Sequence, residues 1–142
     1  MPIKNYTTEV PASRSINEIQ DALVKHGATG LMFEYDQGRI AALRFLLPVQ
    51  GQEVTFSLPV HWRKFQRVLE LQKVGRSKDE DYVYRVAWRC IRDWVMAQLA
   101  LYETQIVEMP QIFLPFATYP NGKTLYENII DGKFLLGDGR EE

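Results

Sequence analysis

The hydrophobic period of this chain changes at Pro59 from that of strands to that of helices, and no other feature constrains the fold as strongly. From Leu31 to Pro59 side chains alternate between two faces, as in strands; beyond Pro59 apolar residues recur at the spacing of an amphipathic helix. Leu31, Phe33 and Tyr35 share a face, and Asp36-Gln37-Gly38 turns the chain. Ala41, Leu43, Phe45 and Leu47 then alternate with Ile40, Ala42, Arg44 and Leu46, so this segment is apolar on both sides and reads as central. After Pro48-Val49-Gln50-Gly51, Val54, Phe56 and Leu58 alternate with Glu53, Thr55 and Ser57. Such short turns predict an antiparallel meander.

Upstream, residues 4–10 alternate Tyr6, Thr8 and Val10 with Asn5, Thr7 and Glu9, which predicts a further strand ended by Pro11. Ser15 with Glu18 has capping-box spacing; Ile16, Ile19 and Leu23 form one helical stripe, and Gly27 is its expected stop. The expected architecture is therefore α+β: a four-stranded, mainly antiparallel β-α-β-β-β sheet followed by a helical C-terminal half. In that half Trp62, Phe65, Val68 and Leu69 form one helical face. Residues 73–79 make a polar break, and Ser77 with Glu80 caps the longest helix, reaching about Gln105 or Val107. Its expected buried stripe is Val83, Ala87, Ile91, Trp94 with Val95, and Gln98 to Leu101. Pro110 bars continuation, Pro120-Asn121-Gly122 turns the chain, and Thr124 with Glu127 caps a last short helix stopping near Gly132. The 142 residues read as one domain: 1–59 sheet, 60–136 helices with 134–136 tucked against the body, 137–142 a solvated tail.

Apolar residues at 46% and charged residues at 25% exclude disordered and low-complexity classes. One cysteine and two histidines exclude an internal disulfide and leave too few soft ligands for structural zinc. No apolar run approaches the ~20 residues that cross a bilayer, and no signal core follows Met1-Pro2-Ile3-Lys4, so a cytoplasmic protein without membrane contact is expected. Phosphate-loop, dinucleotide and H-E-x-x-H motifs are missing, and no cofactor or metal is expected. Cys90 sits mid-helix as a small hydrophobe, His26 faces helix C-terminal carbonyls, and His61, the better catalytic candidate, also reads as structural. Asp79, Glu80 and Asp81 compensate a helix dipole. No residue is assigned a catalytic role.

The positive signal is charge segregation within a net charge of -1. Between His61 and Arg92 nine bases, Arg63, Lys64, Arg67, Lys73, Arg76, Lys78, Arg85, Arg89 and Arg92, stand against four acids. That is +5 locally and -6 elsewhere. Arg85, Arg89 and Arg92 share one helical face, Arg63 and Arg67 another, and Trp62, Tyr82, Tyr84 or Trp88 lie near enough for base stacking. The competing reading is a solvated helix, with Asp81 to Arg85 and Arg89 to Asp93 as i,i+4 pairs.

Several stretches carry a resemblance: His26-Gly27-Ala28, Tyr35 and Gly38, Leu58-Pro59, the run from Arg85 to Gln98, Phe113-Leu114-Pro115, and Gly122-Lys123-Thr124-Leu125-Tyr126. With them the chain resembles a group of small uncharacterised proteins of tailed phages and prophages. The resemblance implies a mobile-element setting, in which small proteins handle DNA or obstruct host defences; it transfers no functional residue. The leading expectation is a non-catalytic nucleic-acid-binding accessory protein, for single-stranded DNA or RNA, using the nine bases. The alternative is a protein-binding module, an inhibitor of a host factor or a subunit of a phage complex, using the acidic remainder or the apolar residues 112–116. Homo-oligomerisation is compatible with either.

Overall fold

A computed structural model describes residues 2–132; the expected packing of 134–136 and the tail 137–142 lie outside the described residues. Its architecture is α+β, with a three-stranded antiparallel sheet and helices. Strands β1 (Gly30–Asp36), β2 (Arg39–Val49) and β3 (Gln52–Pro59) form the meander in chain order, with β2 central. Both hairpins turn on a Gln-Gly pair with positive φ at both residues, 53° and 81° at Gln37-Gly38 and 54° and 80° at Gln50-Gly51. That is the turn whose twist matches paired strands, and the second glycine makes it inexpensive. Between Glu34 and Tyr35 the register shifts, their partners being Ala42 and Ile40, so Ala41 is an extra residue. The bulge resets the alternation, and Ile40 is buried as well as Leu43, Phe45 and Leu47.

The fourth strand does not form. Residues 4–7 instead make turns, with Asn5 at φ 66°, Tyr6 N–H donating to Ile3 C=O at 3.2 Å and Thr8 N–H to Asn5 C=O at 3.0 Å. The backbone polar groups of this segment are satisfied by helices rather than by a ladder. Ile3 N–H donates to Gln72 Oε1 at 2.7 Å, Tyr82 Oη–H donates to Tyr6 C=O, and Cys90 Sγ–H donates to Lys4 C=O at 3.1 Å. An alternating pattern without a neighbouring edge was insufficient to specify a strand.

Helix α1 (Ala12–Lys25) starts at Pro11 without a side-chain cap, so Ser15 is not a cap; it lies fully buried one turn inside. The stop at Gly27 does form. Gly27 has φ 111°, its N–H donates to Val24 C=O, and Ala28 N–H donates to Leu23 C=O, the Schellman pattern with Leu23 and Ala28 both buried. Helix α2 (Trp62–Leu71) and helix α3 (Glu80–Glu103) follow. Asp79, not Ser77, caps α3, its carboxylate accepting from Tyr82 N–H at 3.2 Å. Helix α3 ends at Glu103, short of the expected Gln105 or Val107, and Pro110 sits in the first turn of a separate α4 (Met109–Phe113), where a missing N–H costs nothing and a capping box of Glu108 and Gln111 opens the helix. After a single 3-10 turn, Leu114–Phe116, Thr118 N–H donates to Thr55 C=O at 2.8 Å and Phe56 bridges Ala117, so the chain returns to the β3 edge. Thr124 and Glu127 form the expected capping box of α5 (Leu125–Ile130).

One apolar cluster runs from Ile19 to Ala117, with α1 and α2 packed on α3. Phe45 stacks on Phe56 at 5.5 Å and meets the edge of Phe113 at 5.0 Å. Val83, Ala87, Val95 and Leu99 of the expected α3 stripe are buried, but Trp94 is 37% exposed, and Trp88, outside that stripe, is 0% exposed. Among the described residues no helix is long and apolar enough to cross a membrane.

Candidate binding site

The nine bases do not share one open face. Arg89 and Arg92 point at α1, where both donate to Glu18 Oε1, at 3.0 and 2.8 Å, and Arg89 also reaches Ser15 Oγ at 3.3 Å. Arg92 donates further to Asp93 at 3.1 Å. Arg85 lies over the Tyr82 ring at 5.7 Å, and its Nε and Nη2 are buried without an acceptor among the described residues. Arg89 and Arg92 therefore join α3 to α1 while Arg85 lies on its own helix, so the three present no basic groove, and the expected i,i+4 pairs give way to tertiary ones. Asp81 pairs with Arg39 at 2.8 Å, and Asp93 receives Asn5 Nδ2 at 2.9 Å and lies 3.6 Å from Lys4.

On α2 and the loop beyond it the bases are exposed. Arg63 pairs with Glu80 at 2.9 Å, Lys78 with Glu70 at 2.8 Å, and Arg76 with Asp79 at 3.2 Å and Glu9 at 3.5 Å. The side chains of Lys64, Arg67 and Lys73 form no hydrogen bond or ion pair among the described residues. None of the four aromatics expected to stack bases presents an open face. Trp62, Tyr82 and Trp88 are buried, and Tyr84 receives Ile40 N–H on its hydroxyl at 2.9 Å while the Arg39 guanidinium covers its ring at 5.1 Å.

The catalytic candidates remain isolated. His26 Nδ1 lies 2.8 Å from Ala22 C=O with its ring edge on Tyr102, and exposed His61 is the left-handed residue that starts α2, at φ 37°. Burial pushes the Cys90 thiol up from its ordinary range, with the Asn5 amide opposing, so its thiolate is disfavoured. Among the described residues no three His, Cys, Asp or Glu side chains are placed to hold a metal.

The carboxylates on the arginines titrate low. Partial burial pushes Glu18 up, but Arg14, Arg92 and Arg89 together hold it below its ordinary 4.5. Burial likewise raises Asp93, and Asn5, Arg92 and Lys4 outweigh it, holding it below 3.8. A depressed carboxylate contributes stability that is complete above the unfolded pKa and is lost as pH falls through the folded one. The urea midpoint is therefore expected to be flat from pH 7 to about 5 and to fall steeply below about 4.5, with Glu18→Gln flattening the drop. An unchanged pH profile in that variant would contradict the assignment.

The concave feature at this side of the molecule is apolar. A groove of about 280 Å³ runs between Leu58 and Pro59 of β3, Phe65 of α2, Cys90, Ile91 and Trp94 of α3, and Phe116 of the 3-10 turn. Trp94 is held as its wall by edge contacts to Phe113 at 5.8 Å and Phe116 at 6.0 Å. The sequence pattern placed Trp94 in the core and so missed the groove. The available signal was the width of the apolar surface of α3: Val83, Val86, Ala87, Trp88, Ile91, Trp94 and Val95 span more than one neighbour can cover.

No family model matches the chain, and no curated protein or solved structure is significantly similar to it.

Proposed function

We propose that the protein is a non-catalytic protein-binding module whose partner seats apolar side chains in the groove between α2, α3 and the 3-10 turn. The observation that supports this most is the groove itself: seven lining residues from four separate segments leave an apolar concavity open beside the part-exposed Trp94 ring. Exposed large apolar residues elsewhere, among them Leu71, Met32 and Leu114, are further surface of the kind that partners cover. In the mobile-element setting that the resemblance implies, the partner would be a host factor or another protein of the same complex.

A short uncharged peptide with a Leu-Phe centre is expected to bind the protein, and Trp94→Glu is expected to weaken that binding at least tenfold while circular dichroism stays unchanged. Equal binding by both proteins would remove the groove as the site.

Nucleic-acid binding stays as a second reading on one observation, the three exposed cations Lys64, Arg67 and Lys73, which have no partner among the described residues. With Trp62, Tyr82 and Trp88 buried and Tyr84 covered by Arg39, it would rest on phosphate contacts and be sequence-independent. Fluorescence anisotropy with labelled oligonucleotides at two salt concentrations tests it. Salt-sensitive affinity that disappears when all three are reversed to Glu would favour it over the protein partner.

A further inference from the structure

Given the groove as the binding site, we infer that its resident occupant is a segment of this same chain, Phe134-Leu135-Leu136, which closes the groove in cis and which a partner must displace. The segment fits by chemistry. Three consecutive large apolar residues stand between Lys133 and the polar run Gly137-Asp138-Gly139-Arg140-Glu141-Glu142, and water disfavours leaving them uncovered. The groove lining is hydrocarbon apart from the Cys90 sulfur, whose hydrogen is already donated to Lys4 C=O. Neither lining nor segment carries a charge, so the contact desolvates no ion. A cavity of about 150 Å³ admits a benzene ring, so about 280 Å³ admits one or two of the three side chains.

Helix α5 is placed to deliver it. It packs against the 3-10 turn that carries the groove wall Phe116, and Leu125 N–H, at the start of α5, donates to Ala117 C=O at 2.8 Å, one residue beyond that wall. The six residues of α5 rise about 9 Å. At the far end Gly132 has φ 83°, and its N–H donates to Ile129 C=O at 3.0 Å. A left-handed residue in this position turns a chain back across the last helical turn instead of onward along the axis. Four extended residues beyond Gly132 span about 13–14 Å, so a chain running back along α5 brings Leu135 and Leu136 level with Phe116. Tethering makes even a weak contact effective, because a segment on so short a linker competes at an effective concentration on the order of millimolar.

The test compares the full chain with a full-length variant carrying Phe134→Ser, Leu135→Ser and Leu136→Ser, by the anisotropy of a fluorescein-labelled uncharged Leu-Phe peptide and by the indole signals of ¹⁵N-labelled protein. A segment that fills the groove about nine-tenths of the time lowers the apparent affinity of a competitor about tenfold. The variant is therefore expected to bind the peptide at least tenfold tighter, and its Trp94 indole signal to differ from that of the unaltered chain before any peptide is added. In the unaltered chain, nuclear Overhauser contacts from the methyl groups of Leu135 or Leu136 to the Trp94 ring are expected, a measurement that holds whether or not the variant folds. Equal peptide affinity of the two proteins with an unmoved Trp94 signal would overturn the inference and leave the groove reading standing; if neither protein binds the peptide, both fall. Overhauser contacts to the exposed Tyr126 or Ile130 of α5 in place of Trp94 would also overturn it. So would a Trp94 difference that vanishes on dilution, which would seat the segment in the groove of a second copy.

Discussion

Trp88→Ala is expected to remove about 3–5 kcal/mol of stability, the largest loss from any single aromatic truncation among the described residues. Trp88 is 0% exposed at the middle of α3, packed by Tyr84 at 6.3 Å edge-on, and its removal leaves a void that the surrounding helices and sheet cannot close. Its indole Nε1 is buried without an acceptor among the described residues, so Trp88→Phe sheds an unsatisfied N–H along with volume and should cost only about 1–2 kcal/mol. Trp94→Ala, by contrast, loses edge contacts to Phe113 and Phe116 at a part-exposed site, and about 1–2 kcal/mol is expected. Urea denaturation of the three variants ranks them. A Trp94→Ala loss equal to that of Trp88→Ala would contradict the helix phase.

Glu18→Ala is the second large effect, about 1–3 kcal/mol, because one carboxylate oxygen serves two arginines of another helix. The side chains of Glu18, Arg89 and Arg92 are 28%, 17% and 28% exposed, which places the cost below that of a dry ion pair and above that of a surface one. A double-mutant cycle with Arg89→Ala isolates the coupling, expected at about 1 kcal/mol or more; a coupling under 0.3 kcal/mol would mean that the pair is incidental. The same geometry means that reversing Arg85, Arg89 and Arg92 together unfolds the protein, since Arg89→Glu and Arg92→Glu would set two further carboxylates against Glu18. Such a variant reports on stability, not on binding.

The meander was legible because its signals are local: Gln37-Gly38 and Gln50-Gly51 set the turns, and alternation along β2 is doubly apolar wherever the strand is central. The caps at Gly27 and Thr124 were legible for the same reason. Residues 4–10 misled because β-propensity measures fit to a pleated neighbour, and here the neighbour is α3. Ser15 and Ser77 misled because capping spacing recurs by chance, while Pro11 and Asp79 hold the actual starts. The basic face misled most. A helical wheel finds that Arg85, Arg89 and Arg92 align, but only the fold reveals that Glu18 on α1 faces two of them. The groove was invisible for a related reason: Leu58, Phe65, Trp94 and Phe116 are distant in sequence and converge only after α2 and the 3-10 turn have docked on α3.

That groove is the central claim, and the three tryptophans supply its most direct test. In a ¹⁵N-labelled sample each indole N–H gives its own signal, and Trp62 and Trp88 are buried while Trp94 lines the groove. Titration with the short uncharged Leu-Phe peptide is expected to move the Trp94 indole signal saturably, together with the backbone amides of Phe65, Ile91 and Phe116, and to leave the Trp88 indole in place. A titration in which Trp94 stays fixed while the peptide binds, or in which the shifts gather elsewhere, would contradict the assignment of this groove as the binding site.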